Sequence, residues 1–217
     1  AEENIAFAEA QTKASLEQLQ QSRKRYENGF GTITEINEAQ AVLRLPRRSY
    51  PEGAALRTTH LVIPQARETH EVIIDKSFWT WGGEIGINEH GLAVGNEAIF
   101  SLAEESRDGL ITGDLLRLML ERARTCGEAL EVFGDMLERF GQGGNCELRG
   151  NSHFDSSYLV SDARTAFVIE TSGLALPKPL VQAFHWPAIK SRVTVDGVVA
   201  VVDGAALAEG QVAADLE

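Results

Sequence analysis

The sequence predicts an α+β protein in three parts: a helical hairpin at residues 1–45, a packed α/β core at 46–169 and a β/α appendage at 170–217. Three observations predict it. Residues 1–45 hold no proline and repeat apolar side chains at helical spacing. From Pro46 onward, short β-rich runs surround two helical stretches. After Gly173 the style changes again, to a proline-bounded loop and a valine-rich run at 193–202.

The hairpin rests on Ile5, Ala8, Leu16, Leu19 and Tyr26, followed by Ile33, Ile36 and Leu43. Asn28-Gly29 ends the first arm, because glycine adopts the left-handed conformation that terminates a helix, and Thr32 or Thr34 can cap the second arm. The first arm, about 27 residues, would be roughly 40 Å long. The return arm is expected to stay helical as far as Pro46. In the core, strands are expected at 59–63 and 71–75, then a Trp79-Thr80-Trp81-Gly82-Gly83 cluster and a strand at 91–94. A helix capped by Thr112 or Asp114 carries Leu115, Leu118 and Met119, and a second runs over 128–140. The glycine-rich loop at 141–145 leads to strands at 157–160 and 166–169. In the appendage, Pro177 and Pro179 block a helix, and Asp196-Gly197 between β-branched runs fits a hairpin or a bulged strand. Residues 205–216 have helical propensity. The valine-rich strand is expected to add to the sheet of the core, which should itself lack an N-terminal strand.

Charge and residue usage exclude several classes. With 32 acidic against 20 basic side chains the net charge is -12, which repels a phosphate backbone and excludes nucleic acid as a partner. The apolar run at 198–202 is far too short to span a bilayer, and residues 1–20 have no signal-peptide core. A soluble, cytoplasmic chain without membrane partners is expected. Cys126 and Cys146 form no CxxC. His60, His70, His90, His153 and His185 show no HxxxH spacing, so neither a metal centre nor a cofactor is expected.

Three resemblances follow the same boundaries. Residues 1–44, through Ala8-Glu9-Ala10-Gln11 and Tyr26-Glu27-Asn28-Gly29-Phe30-Gly31-Thr32, resemble the TolC-type outer-membrane efflux proteins. That resemblance implies a hairpin tip at residues 29–32 and a helix–helix partner. Residues 50–169 resemble secernin-type dipeptidases, on the strings Trp79 to Glu84, Gly86-Ile87-Asn88-Glu89-His90-Gly91, Gly95-Asn96-Glu97-Ala98, Gly141-Gln142-Gly143-Gly144-Asn145-Cys146 and Ser157-Tyr158-Leu159-Val160. It implies an incomplete αββα core of the N-terminal-nucleophile hydrolases, with short peptides as ligands. By the same resemblance Asn96 would be an oxyanion donor, Asn88 a second one and Asp155 a residue orienting the amine. The nucleophile of that family is an N-terminal cysteine, and Ala1 stands first here. Residues 169–217 resemble the CobW-family metal chaperones, on Ile169-Glu170-Thr171-Ser172-Gly173-Leu174. There Glu170 would join a magnesium shell and Gly173 would sense a γ-phosphate. The GxxxxGK[ST] loop, the NKxD string and the CxCC metal site of that family do not occur in the 217 residues. The sequence thus predicts a mosaic, principally a dipeptidase-like core without its nucleophile and hence catalytically inactive. The alternatives are a CobW-like nucleotide-dependent metal chaperone fragment and a coiled-coil interaction module on a structural α/β body.

Overall fold

The computed structural model describes residues 41–100, 108–148 and 150–171, together with 17, 20, 21, 24, 25, 28, 29, 194, 195 and 197. The chain divides into two compact units, Ala1–Ile169 and Glu170–Glu217. Residues 17, 20, 21, 24 and 25 are helical. Asn28 donates to the Lys24 carbonyl from its backbone N–H at 3.1 Å and from its carboxamide at 2.8 Å. Gly29 follows at φ 76°, the left-handed conformation expected of a helix stop. The rest of that arm and the tip at 30–34 lie outside the described residues.

The return arm differs from expectation at its end. Residues Ala41–Leu45 form strand β1 rather than a helix, antiparallel to a later strand β6 (Val72–Lys76), with Leu43 opposite Ile74. The reason is alternation. Leu43 and Leu45 pack against the core while Val42 and Arg44 point away from it, a period-two pattern that a paired strand satisfies and a helix does not. The core therefore has the N-terminal strand it was expected to lack. The valine-rich run at 198–202 lies outside the described residues.

Between β1 and β6 sit two small ribbons. Strand β2 (Arg48–Ser49) pairs with β5 (Glu68–Thr69), and inside them β3 (Ala55–Arg57) pairs with β4 (Val62–Pro64). The single strand expected at 59–63 is thus a turn followed by β4. After β6 come β7 (Ile85–Asn88), β8 (Ala93–Ile99), β9 (Asp155–Ser161) and β10 (Ala166–Glu170). They complete a six-stranded sheet of order β1-β6-β7-β8-β9-β10, antiparallel from β1 through β9. The described residues hold one such sheet with one helical layer. Beyond the two small ribbons, a second large sheet and a second helical layer, which a four-layer core requires, are not among them.

The helices are α1 (Thr112–Arg122) and α2 (Cys126–Phe140). Helix α1 buries Leu115, Leu116, Leu118, Met119 and Leu120, so it is apolar nearly all round, as befits a helix enclosed by other elements. Helix α2 buries one stripe, Ala129, Phe133 and Met136, and Phe133 meets Tyr158 of β9 edge to face. Thr125 caps α2 by accepting from the Glu128 N–H. Asp162 adds a second acceptor at the same helix end, from the Cys126 N–H at 2.9 Å. The expected cap of α1 fails, because Ile111 is the N-cap and makes no side-chain bond, while Asp114 turns its carboxylate away from the helix.

That carboxylate organises the tryptophan–glycine cluster. Asp114 is wholly buried and accepts from the Thr59 N–H at 3.0 Å, the Thr59 hydroxyl at 2.7 Å and the Gly82 N–H at 3.0 Å. Burial raises its pKa, against the pull of these bonds. The bonds draw the backbone at Gly82 onto the first turn of α1, where a Cβ on Gly82 would stand 2.0 Å from the Gly113 carbonyl carbon. Only a residue without Cβ fits. Replacing Gly82 with alanine should destabilise the chain by about 3 kcal/mol or more, measured by urea unfolding, and a loss under about 1 kcal/mol would contradict this account of the contact.

Candidate functional site

The three residues expected to act on a peptide do not converge. Asn88 is buried and fully occupied: its carboxamide nitrogen donates to the Leu120 and Ala123 carbonyls at 2.9 and 2.6 Å. Its carboxamide oxygen accepts from the His90 and Leu92 N–H groups at 3.0 and 3.1 Å. It joins the end of α1 to the β7–β8 turn and has no donor left for an oxyanion. Asn96 lies on β8, where its backbone N–H donates to the Glu84 carbonyl. Leu92 bonds Asn88 and Asn96 bonds Glu84, so about four residue steps, roughly 13 Å, separate the two asparagines along the ribbon. The Asn96 side chain hydrogen-bonds the Glu84 carboxyl in a shallow groove with Gly95 and Tyr158, and its Oδ1 is buried without a partner. The Glu84 pKa is raised, first by desolvation and further by the charges of Asp75 and Glu97, while the Asn96 bond opposes the rise. Asp155 pairs with Ile99, three residues along β8 from Asn96, and so belongs to the opposite face of the sheet.

The cysteines are not poised for catalysis. Cys126 is buried, its thiol donates toward the Val160 and Thr165 carbonyls, and burial together with the Asp162 carboxylate pushes its pKa up to about 11. Cys146 is half-buried in the glycine loop beside the Gly144 carbonyl. Of the residues expected at a nucleotide, Glu170 closes β10 and is half-buried, whereas Gly173 lies outside the described residues.

Two of the five histidines, which show no ligand spacing in the sequence, stand together in the fold. In the β6–β7 pair Val72 stands opposite Asn88. Continuing that register two steps outward sets Glu71 against Glu89 and His70 against His90. The Glu89 N–H donates to the Glu71 carbonyl at 2.9 Å, and the Glu71 N–H donates to Glu89 Oε1 at 2.9 Å. His90 Nε2 lies 3.2 Å from His70 Nδ1, the rings standing edge to face. Glu89 Oε1 is 3.7 Å from the same His70 nitrogen. Arg47 reaches that oxygen from the other side, with Nε at 3.1 Å and Nη2 at 3.0 Å. Desolvation first, then the charges of His90, Arg47 and Arg124, lower the His70 pKa against the opposing pull of Glu89. Twenty residues separate the histidines in the chain. The signal that finds them is the sheet register, which residue spacing does not carry.

Comparison with known proteins bears on the C-terminal half. Residues 99–216 match the family model of the CobW/HypB/UreG nucleotide-binding domain. A stretch of 48 residues is 69% identical to a zinc chaperone CobW from Sinorhizobium sp, covering 22% of this chain and 14% of that protein. A stretch of 50 residues is 64% identical to a zinc chaperone CobW from Pseudomonas aeruginosa, covering 23% of this chain and 13% of that one. The chain thus spans a small part of the length of these relatives. Among solved structures, penicillin V acylase from Agrobacterium tumefaciens aligns over 73% of this chain and 56% of its own, at 14% identity and a TM-score of 0.36, a likeness too slight to carry an argument. These matches support the CobW resemblance and not the TolC-type or secernin-type ones. They also overturn the dipeptidase function expected of the core, because the family matched is one of nucleotide-binding proteins.

Asn88 therefore has a structural role with a measurable consequence. Its replacement by alanine leaves two carbonyls and two N–H groups without their partner, and should cost about 3 kcal/mol or more in urea unfolding. A change below about 1 kcal/mol would show that the clamp is dispensable.

Proposed function

Because the chain belongs to the CobW/HypB/UreG nucleotide-binding family through residues 99–216, we propose that it takes part in metal delivery as a nucleotide-dependent metal chaperone of CobW type. The observation that carries this reading is the 48-residue stretch at 69% identity to a zinc chaperone. Zinc is the cargo that the names of both relatives suggest. None of the described helices is long and apolar enough to cross a membrane.

The nucleotide end of the activity falls on the Glu170-Thr171-Ser172-Gly173 string. Glu170 supplies a half-buried carboxylate at the end of a strand, a position from which an acidic side chain can meet a magnesium shell through water. The phosphate cradle is a different matter. A GxxxxGK[ST] loop, whose backbone N–H groups and lysine would hold the phosphates, does not occur in the 217 residues. The glycine cluster at 141–144 lacks the following lysine. The residues present thus fit the metal side of such a site and not its phosphate side, and no hydrolytic step is assigned to them.

Weak, magnesium-dependent binding is the expected property. Fluorescent GTP titrated into the full chain should give a saturable, magnesium-dependent signal, weakened roughly tenfold by Glu170→Ala, or about 1.4 kcal/mol. No saturable binding at millimolar GTP, or binding indifferent to both magnesium and Glu170→Ala, would overturn the proposal.

A further inference from the structure

We propose that His70, Glu89 and His90 form a binding site for one divalent transition-metal ion of the zinc class. The three offer one ligand atom each, all within 4.8 Å of one another. A tetrahedral zinc ion with bonds of about 2.0–2.1 Å holds its ligands about 3.3 Å apart. The facing nitrogens of His70 and His90 are already 3.2 Å apart, and Glu89 Oε1 stands 3.7 Å from the first of them. Side-chain rotation that brings Glu89 and His90, now within 4.8 Å of each other, to that spacing closes the set.

The donor chemistry selects the metal. Two imidazoles and one carboxylate suit zinc and its neighbours in the transition series, whereas magnesium and calcium prefer all-oxygen shells. Three protein ligands leave a fourth position for water or for an incoming ligand. Access is open, since Glu89 and His90 are exposed and His70 is half-buried. The backbone beneath is fixed: the Asn88 carboxamide holds the turn, and the His70 N–H donates to the Glu121 carbonyl at 2.8 Å. Such pre-positioning lowers the ordering cost of binding.

Three groups compete with the ion. One is the proton between the facing imidazole nitrogens, which moves to the other nitrogen of its ring, by exchange with solvent, as the metal takes its place. The others are the Glu71 N–H and Arg47, both bonded to Glu89 Oε1, and of these Arg47 must swing away. Its side chain is half exposed, so this exchange costs little. The site lies outside residues 99–216 and stands on its own geometry, so it holds or fails independently of the nucleotide reading.

Zinc titrated into the full chain against a chromophoric chelator tests the assignment, with cobalt(II) as a spectroscopic stand-in. One ion should bind with intense visible cobalt bands of tetrahedral type. His90→Ala, at an exposed position that leaves the fold intact by circular dichroism, should weaken zinc roughly tenfold or more and abolish the bands. Arg47→Ala should strengthen binding several-fold by removing the competitor, a gain that a merely structural role for Arg47 would not produce. His60→Ala and Cys146→Ser should bind as the parent chain does. Zinc affinity indifferent to His90→Ala, an Arg47→Ala variant that binds no more tightly, or loss of binding in Cys146→Ser would each overturn the assignment.

Discussion

The carboxamide of Asn88 is the constraint on which the described core turns. One buried side chain makes four hydrogen bonds, two to carbonyls at the end of α1 and two to N–H groups of the β7–β8 turn. Helix and turn are thereby held in one position relative to each other. The turn sets β8 against β7, and the β6–β7 register below it sets His70 against His90. A residue that sequence resemblance assigns to catalysis instead fixes the geometry of a neighbouring site. The bonds lie around a buried side chain, so each is worth more than it would be in water, and each would cost more to leave unmade.

A second buried acceptor works with it at the other end of α1. Asp114 gathers Thr59 and Gly82, and Thr59 passes the link on by accepting from the Trp81 N–H at 3.0 Å. Arg117 lies over the Trp81 ring at 4.1 Å, donates to the Trp81 carbonyl and pairs with Glu121. Helix α1 is thus anchored at both ends by polar groups, while its sides are held by leucine packing. Its apolar circumference alone would let it slide or rotate. The polar anchors select one arrangement.

Much of the core was legible because its signals are local. Helix α2, expected over 128–140 and closed by the glycine loop, begins two residues earlier, and β6, β9 and β10 fall within two residues of where they are expected. What was not legible depends on contacts distant in the chain. Residues 41–45 follow a helical run without a break, and their short alternation becomes decisive only through pairing with β6 some thirty residues later. Asp114 reads as a cap, and partners more than thirty residues away claim it. His70 and His90 show no ligand spacing, because an antiparallel register relates residues by a constant sum of their numbers rather than a constant difference. The function followed the same rule in reverse. The longest resemblance suggested a peptidase, and the family match to a nucleotide-binding domain, with a short stretch of high identity inside the chain, overturned it and led to the proposal of metal handling.

That proposal gives the histidine cluster its interest, because a stretch similar to proteins named zinc chaperones and a histidine–carboxylate cluster meet in one chain by independent routes. The most direct measurement is anomalous diffraction at the zinc edge from crystals of the zinc-loaded full chain. The account predicts a single strong peak about 2.1 Å from both His70 Nδ1 and His90 Nε2 with the Glu89 carboxylate turned toward it. A peak at Cys146 or at any other group, with the Arg47–Glu89 pair intact, would contradict it.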